Sequence, residues 1–126
     1  MNHNFESRRK ISLIYVTYFD YKKLWNNFES LIKVGDDFYN LDFDIIVVDN
    51  SLNFLTDSNK RKICKRFSEY GNYFSKVIEA RISLKHIISE KNIGLAKAFN
   101  LALDLVKNKI VVFLNCDTHF EFTSFK

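Results

Sequence analysis

The chain has 126 residues, 47% of them hydrophobic, with thirteen Phe and a formal net charge of +4. That is enough for one domain with a real core and too little for two, and disorder is not the default for such a composition. Lys and Arg are spread along the sequence, apart from Arg8-Arg9-Lys10 and Lys60-Arg61-Lys62 with Lys65-Arg66. No basic face with aromatic platforms is legible, so nucleic acid is not an expected partner.

Met1 to Lys10 is polar and basic and lacks the apolar centre of a signal peptide. It reads as an N-terminal tail, 1–10, ahead of a domain spanning 11–126. The two basic clusters suit solvated helix faces. An anionic membrane surface or a diphosphate is the functional alternative. Cys64 and Cys116 fit no zinc or redox spacing and read as reduced thiols. No apolar run approaches the roughly twenty residues of a membrane-spanning helix. The expected location is cytoplasmic, with peripheral association at the inner membrane face as the variant.

In chain order, Ile11 to Thr17 is an apolar, β-branched run that suits a strand buried on both faces. Asp20 can cap a helix from about Tyr21 to Val34, which places Leu24, Phe28, Leu31 and Ile32 on one face. Phe43 to Val48 is the second strand, ending in Asp49-Asn50-Ser51. A second helix is expected from Asp57 to Tyr70, with Ile63, Phe67 and Tyr70 inward and Gly71 as its terminator. His86 to Ser89 forms a short strand before the Asn92-Ile93-Gly94 loop. A third helix runs from about Leu95 to Lys107, burying Leu95, Ala98 or Phe99, Ala102 and Leu105. Lys109 to Leu114 is the last strand, ending in Asn115-Cys116-Asp117.

This alternation implies an α/β fold with a parallel sheet and right-handed crossovers. Parallel strands point the same way, so their carboxyl ends open into one crevice where ligands bind. Thr17, Asp49 and Asp117 are far apart in sequence but are expected at that one edge.

Each of these residues admits two readings. Asp49 can accept hydrogen bonds from a nucleobase or ribose, or it can close a turn. Thr17 can reach the same base or satisfy local backbone. Asn92 and Gly94 can shape a phosphate-binding loop ahead of a helix N-terminus, or merely a turn. Lys97 can meet a donor phosphate or solvent. Asn100 shares a helix face with Ala96 and can line the site or bond backbone. Side-chain alternation puts Asn115 and Asp117 on one side of their strand and Cys116 on the other, toward the core.

Three segments carry a family resemblance: Val47-Val48-Asp49-Asn50-Ser51, Lys91 through Asn100, and Phe113-Leu114-Asn115-Cys116-Asp117. In order and spacing they resemble the strand end, the loop-and-helix and an Asn-x-Asp variant of the Asp-x-Asp motif in family 2 glycosyltransferases, in the rhamnosyltransferase-like branch. The resemblance implies the GT-A fold, a Rossmann-like parallel sheet flanked by helices, and a nucleoside-diphosphate sugar (UDP- or dTDP-sugar) as donor. The site it implies comprises Thr17, Tyr18, Asp49, Asn50, Ser51, Asn92, Gly94, Lys97, Asn100, Asn115 and Asp117. Asp117 would hold Mg2+ or Mn2+, and a glycan or lipid-linked molecule would be the acceptor, in surface polysaccharide synthesis.

In similar enzymes an acceptor-binding half and a general base follow the Asp-x-Asp strand, whereas nine residues follow Asp117. The chain is therefore expected to be the donor half, truncated after that strand. It would bind donor without transferring it unless a partner supplies the rest. His86, His119 and Glu121 match no family position for the base. The alternative is a non-catalytic nucleotide-binding or interaction module. A flavodoxin-like phosphate-binding domain fits the element order but not the Thr17-Tyr18 strand end.

Overall fold

A computed structural model describes residues 9–34, 41–77 and 81–116. The elements are β1 (Arg9–Thr17), α1 (Tyr21–Val34), β2 (Leu41–Asp49), a 3-10 turn (Leu52–Phe54), α2 (Asp57–Val77), β3 (Arg81–Ile88), α3 (Leu95–Leu103) and β4 (Ile110–Leu114). All pairings are parallel, and the strand order is β3-β2-β1-β4.

The order follows from the handedness of crossovers. From β1 the chain steps to β2 and then β3 through α1 and α2, which lie on one face. Reaching β4, on the far side of β1, reverses direction, and a right-handed crossover then needs α3 on the opposite face. The sheet's alternation separates the two cores. Leu13, Tyr15, Ile45 and Val47 pack with Leu24 and Phe28 of α1 and with Phe67 and Phe74 of α2. Ile14, Ile46 and Val48 face Ala98 and Ala102 of α3. Those two alanines are fully buried, and their small size lets a short helix lie close against the sheet.

The α1 layer is largely aromatic. Phe28 meets Tyr15, Tyr70 and Phe74 edge-on at centroid distances of 5.3–5.8 Å, a geometry that ring quadrupoles favour. The Tyr15 hydroxyl donates to the buried Asn27 amide oxygen. Tyr70 donates to Glu29 at 2.6 Å, and burial, with the Glu29 bond and charge, pushes its pKa up to about 12.

Several boundaries differ from the sequence reading. The strands begin earlier: Arg9 and Lys10 pair with Leu41 and Asp42, and β3 starts at Arg81. The second helix does not stop at Gly71 but runs through it to Val77. The apolar stripe Ile63, Phe67, Tyr70 continues in helical spacing to Phe74, which is fully buried. Burying that ring is worth about 2–3 kcal/mol, against roughly 1 kcal/mol for a mid-helix glycine. Cys64 is exposed.

α3 closes at Leu103 rather than Lys107, through tight turns from Leu105 N–H to Ala102 O and from Val106 N–H to Leu103 O. Leu95 and Leu105, expected inside, are 59% and 41% exposed. Among the described residues, no helix is long and apolar enough to cross a membrane.

Candidate functional site

The strand order has one topological switch point. The chain leaves β1 toward α1 on one face of the sheet and reaches β4 from α3 on the other. An open parallel sheet forms a crevice where neighbouring strands are served from opposite faces. A crevice of about 470 Å3 lies there, at the carboxyl ends of the strands. The end of β1 contributes Val16 and Tyr18, and the end of β4 contributes Leu114, Asn115 and Cys116. Asn50 reaches it from the turn after β2. Asn92, Gly94, Leu95 and Phe99 form the α3 wall, and Asp20 and Lys23 approach from the start of α1.

The α3 wall is built by a local turn. The Gly94 N–H donates to the Asn92 side-chain oxygen at 2.9 Å, and Gly94 takes a φ of +82°. A Cβ there would meet nothing within 4 Å, so glycine is required for backbone conformation and not for space. The N–H groups opening α3 follow this turn and have no intrahelical acceptor. The Asn50 side-chain oxygen makes a long bond, 3.5 Å, from the Ile93 N–H. The β2 turn and the α3 loop therefore touch across the crevice.

Asp49 is placed differently from its neighbour. It follows Ile45 and Val47 in alternation, so its carboxylate enters the α1–α2 layer, where it is fully buried. It accepts from the Ser51 and Leu52 N–H groups at 2.9 and 3.0 Å. It also accepts from the Tyr21 hydroxyl at 2.8 and 2.9 Å and from Ser51 Oγ at 3.1 Å. His86 Nε2 lies 2.9 Å away, and its ring stacks on Phe67 at 3.7 Å. Burial pushes the Asp49 carboxyl upward. The bonds from His86, the Ser51 amide and Tyr21, with the His86 charge, outweigh it and hold the pKa below the usual carboxylate value. Tyr21 is raised well above the ordinary phenol value, first by burial and then by Asp49, despite the opposing bond to Ser51.

Of the residues expected at the site, Tyr18, Asn50, Asn92, Gly94 and Asn115 line the crevice. Thr17 and Asp49 are register partners at its edge, but with Ser51 they are fully buried behind it. The Thr17 hydroxyl has no hydrogen-bond partner among the described residues. Lys97 and Asn100 are exposed on α3 and are not among the lining residues. Asp117, the expected metal ligand, lies outside the described residues, as do His119 and Glu121.

Cys116 is in the core as its alternation predicts, with Sγ donating to the Val16 carbonyl at 3.4 Å, and it also edges the crevice. The sequence reading missed Lys23 and Asp20 as lining residues, together with the Tyr21–Asp49–His86 cluster. A signal existed for Lys23, since the first turn of a helix that follows a strand end faces the same edge.

No three His, Cys, Asp or Glu side chains come together to hold a metal among the described residues. The crevice's side-chain oxygens come from Asp20 and the amides of Asn50, Asn92 and Asn115, a hard-ligand set that suits Mg2+ or Mn2+ better than a soft metal. The Asn92 and Asn50 oxygens also accept the Gly94 and Ile93 N–H groups.

Residues 12–125 match the family described as glycosyl transferase family 2. The chain belongs to that family. Among solved structures, this family 2 domain is similar to S. aureus TarS 1–349, with a TM-score of 0.62 and 23% identity over 91% of the chain. The same TarS fragment in complex with UDP-GlcNAc gives 0.63 and 23% over 92%. The Pyrobaculum calidifontis mannosyltransferase PcManGT, in complex with GDP-Man and Mn2+, gives 0.60 and 21% over 90%. At these identities the likeness shows the shared GT-A fold. The domain spans 29% of the length of each of those three chains. No curated protein matches it.

Proposed function

We propose that this domain binds the nucleoside diphosphate of a sugar donor, a UDP- or dTDP-sugar, in the crevice at the β1–β4 switch point, as the donor-binding part of a glycosyltransferase. The observation that carries the proposal is the polar lining of that crevice. Tyr18 and Asn50 can meet a nucleobase by ring contact and amide hydrogen bonds. The Asn92–Gly94 turn, with the free N–H groups of α3, offers a place for a phosphate. Lys23 is the cation that lines it among the described residues.

The sequence reading gave the base to Asp49. Its carboxylate is filled by internal donors, so we give the base contact to Asn50, one residue on, and leave Thr17 and Ser51 as supports.

Asn115 lines the crevice at the end of β4, and we assign it to a ribose hydroxyl or a metal-bound phosphate. With Asp117 it is our candidate for an oxygen-ligand Mg2+ or Mn2+ site, whose metal would neutralise the departing diphosphate. The PcManGT complex with Mn2+ supports that choice for the family. We further propose that the acceptor is a glycan or a lipid-linked molecule, that a partner or further polypeptide supplies its binding surface, and that the reaction serves surface polysaccharide synthesis on the cytoplasmic side of the membrane.

Calorimetric titration with UDP, dTDP, GDP and uridine, each with and without Mn2+, tests the reading. Saturable binding of UDP or dTDP is expected, with uridine weaker and Mn2+ strengthening the diphosphates alone. Asn50→Ala should weaken binding about tenfold, as for a lost hydrogen bond with its partner left unpaired. No binding of any nucleoside diphosphate up to about 1 mM, an affinity worth only about 4 kcal/mol, would overturn it.

A further inference from the structure

We propose that Tyr21 and His86 are positioning residues for nucleotide recognition. Through the buried Asp49 carboxylate they fix both turns that present the crevice's base-facing side chains. The inference rests on the donor-site reading above.

The geometry is that of one cluster serving two walls. On one side, Asp49 accepts the Ser51 and Leu52 N–H groups, closing the turn that carries Asn50. That turn is also pinned by Asn50 N–H to Thr17 O and Ser89 N–H to Asp49 O, both at 2.9 Å. On the other side, Ser51 Oγ accepts the Phe19 N–H at 2.8 Å. Phe19 has a φ of +62°, a left-handed conformation that a bulky side chain adopts only when its surroundings impose it. Holding Phe19 there sets the direction of the β1 turn, which carries Tyr18 into the crevice.

The proton inventory shows why His86 and Tyr21 matter. Oδ1 of Asp49 receives both amides and Ser51 Oγ, whereas Oδ2 is met by Tyr21 and by His86 Nε2, each at 2.9 Å. The Tyr21 hydroxyl has a single proton to share between the two oxygens and also lies 2.9 Å from Ser51 Oγ. Without His86, Oδ2 keeps only part of one donor. A buried carboxylate left short of a donor draws its remaining partners out of place or admits water, and either change loosens the amides that close the turn.

Ser51, Asp49 and His86 do not form a hydrolytic triad. The His86 nitrogen is bonded to the carboxylate and not to the serine, and Ser51 is fully buried.

The test uses His86→Phe, which keeps a ring on Phe67 but removes the donor, His86→Gln, which restores an N–H, and Tyr21→Phe, which removes the second donor. UDP affinity is measured by calorimetry well below each variant's melting midpoint, and amide hydrogen exchange is followed at Phe19, Ser51 and Leu52 against Ile14 and Ile46 in the sheet. His86→Phe and Tyr21→Phe should each lose about tenfold in affinity, the scale of one hydrogen bond. Exchange should quicken at the three turn amides and not in the sheet. His86→Gln should bind within about threefold of the native chain.

A folded His86→Phe that binds UDP like the native chain, with Leu52 still protected, overturns the proposal. So does an equal loss in His86→Phe and His86→Gln, which marks a merely structural role. Should His86→Phe not fold, Tyr21→Phe decides by the same readouts. If the native chain binds no nucleotide, the donor-site reading fails. The exchange measurements then still report whether this cluster holds the turns.

Discussion

Asp49→Asn separates anchoring from contact, because it removes one charge from a buried site while preserving shape. The carboxylate is met by the Ser51 and Leu52 amides, the Tyr21 and Ser51 hydroxyls and His86. An asparagine oxygen can still serve the two amides, but its NH2 group now faces His86 Nε2 and Tyr21. Each hydrogen bond to a charged group contributes about 1.5–3 kcal/mol. Losing two, with some recovery as the tyrosine and imidazole reverse their roles, should cost about 2–4 kcal/mol. At roughly 3–5 °C per kcal/mol for a chain of this size, the melting midpoint should fall by about 10 °C. The assay is urea denaturation of both proteins from pH 7 downward. Because the folded Asp49 pKa is depressed, its stabilisation is fully present above the unfolded value of about 4 and is lost as pH falls through the folded one. The gap between native and variant should therefore shrink below about pH 4. A difference under about 0.5 kcal/mol at pH 7, the usual range for substitutions away from special sites, or a gap that does not narrow in acid, would refute the anchoring role.

Gly71→Ala should stabilise the chain by about 0.5–1 kcal/mol, read by the same denaturation, because the helix passes through this position with open space around a new Cβ. Phe28→Ala should cost about 3–5 kcal/mol, since a fully buried ring with three edge-on aromatic neighbours leaves a cavity; a loss below about 2 kcal/mol would mean that the layer collapses around it. Lys23→Met should weaken UDP binding about three- to tenfold and flatten its salt dependence. Lys97→Met should do neither, and titration of both variants at two salt concentrations compares them.

The order and type of the elements were legible in the sequence because each short apolar run is β-branched and each helix carries an inward stripe at helical spacing. Boundaries were less so. Gly71 reads locally as a stop, and only a buried Phe74, held by Tyr70 and Phe28, decides that the helix continues. Leu95 and Leu105 read as core by their chemistry. The face of α3 that meets the sheet is set by Ala98 and Ala102, which allow the close approach that larger residues would block. Strand order was not legible, since it depends on which face each crossover covers.

The same alternation explains what was and was not visible at the site. The strand ends were expected to bring Thr17, Asp49 and Asp117 to one edge, and Thr17 and Asp49 do meet there, but an edge has two sides. In β2, Ile45 and Val47 enter the α1–α2 core, so a period of two carries Asp49 with them, and Asn50, though itself only 2% exposed, is the first residue after the strand to line the crevice. Asp49 therefore holds the turn and Asn50 presents a side chain, although the acidic residue is the more conspicuous of the two in a motif. His86 could not be recognised from its position in sequence, because its role depends on the register that sets it beside Val47, within reach of a carboxylate 37 residues away. A buried acid with donors from three elements is more informative about how a site is held than about what the site touches. That distinction leads from the strand-end aspartate to the asparagine beside it.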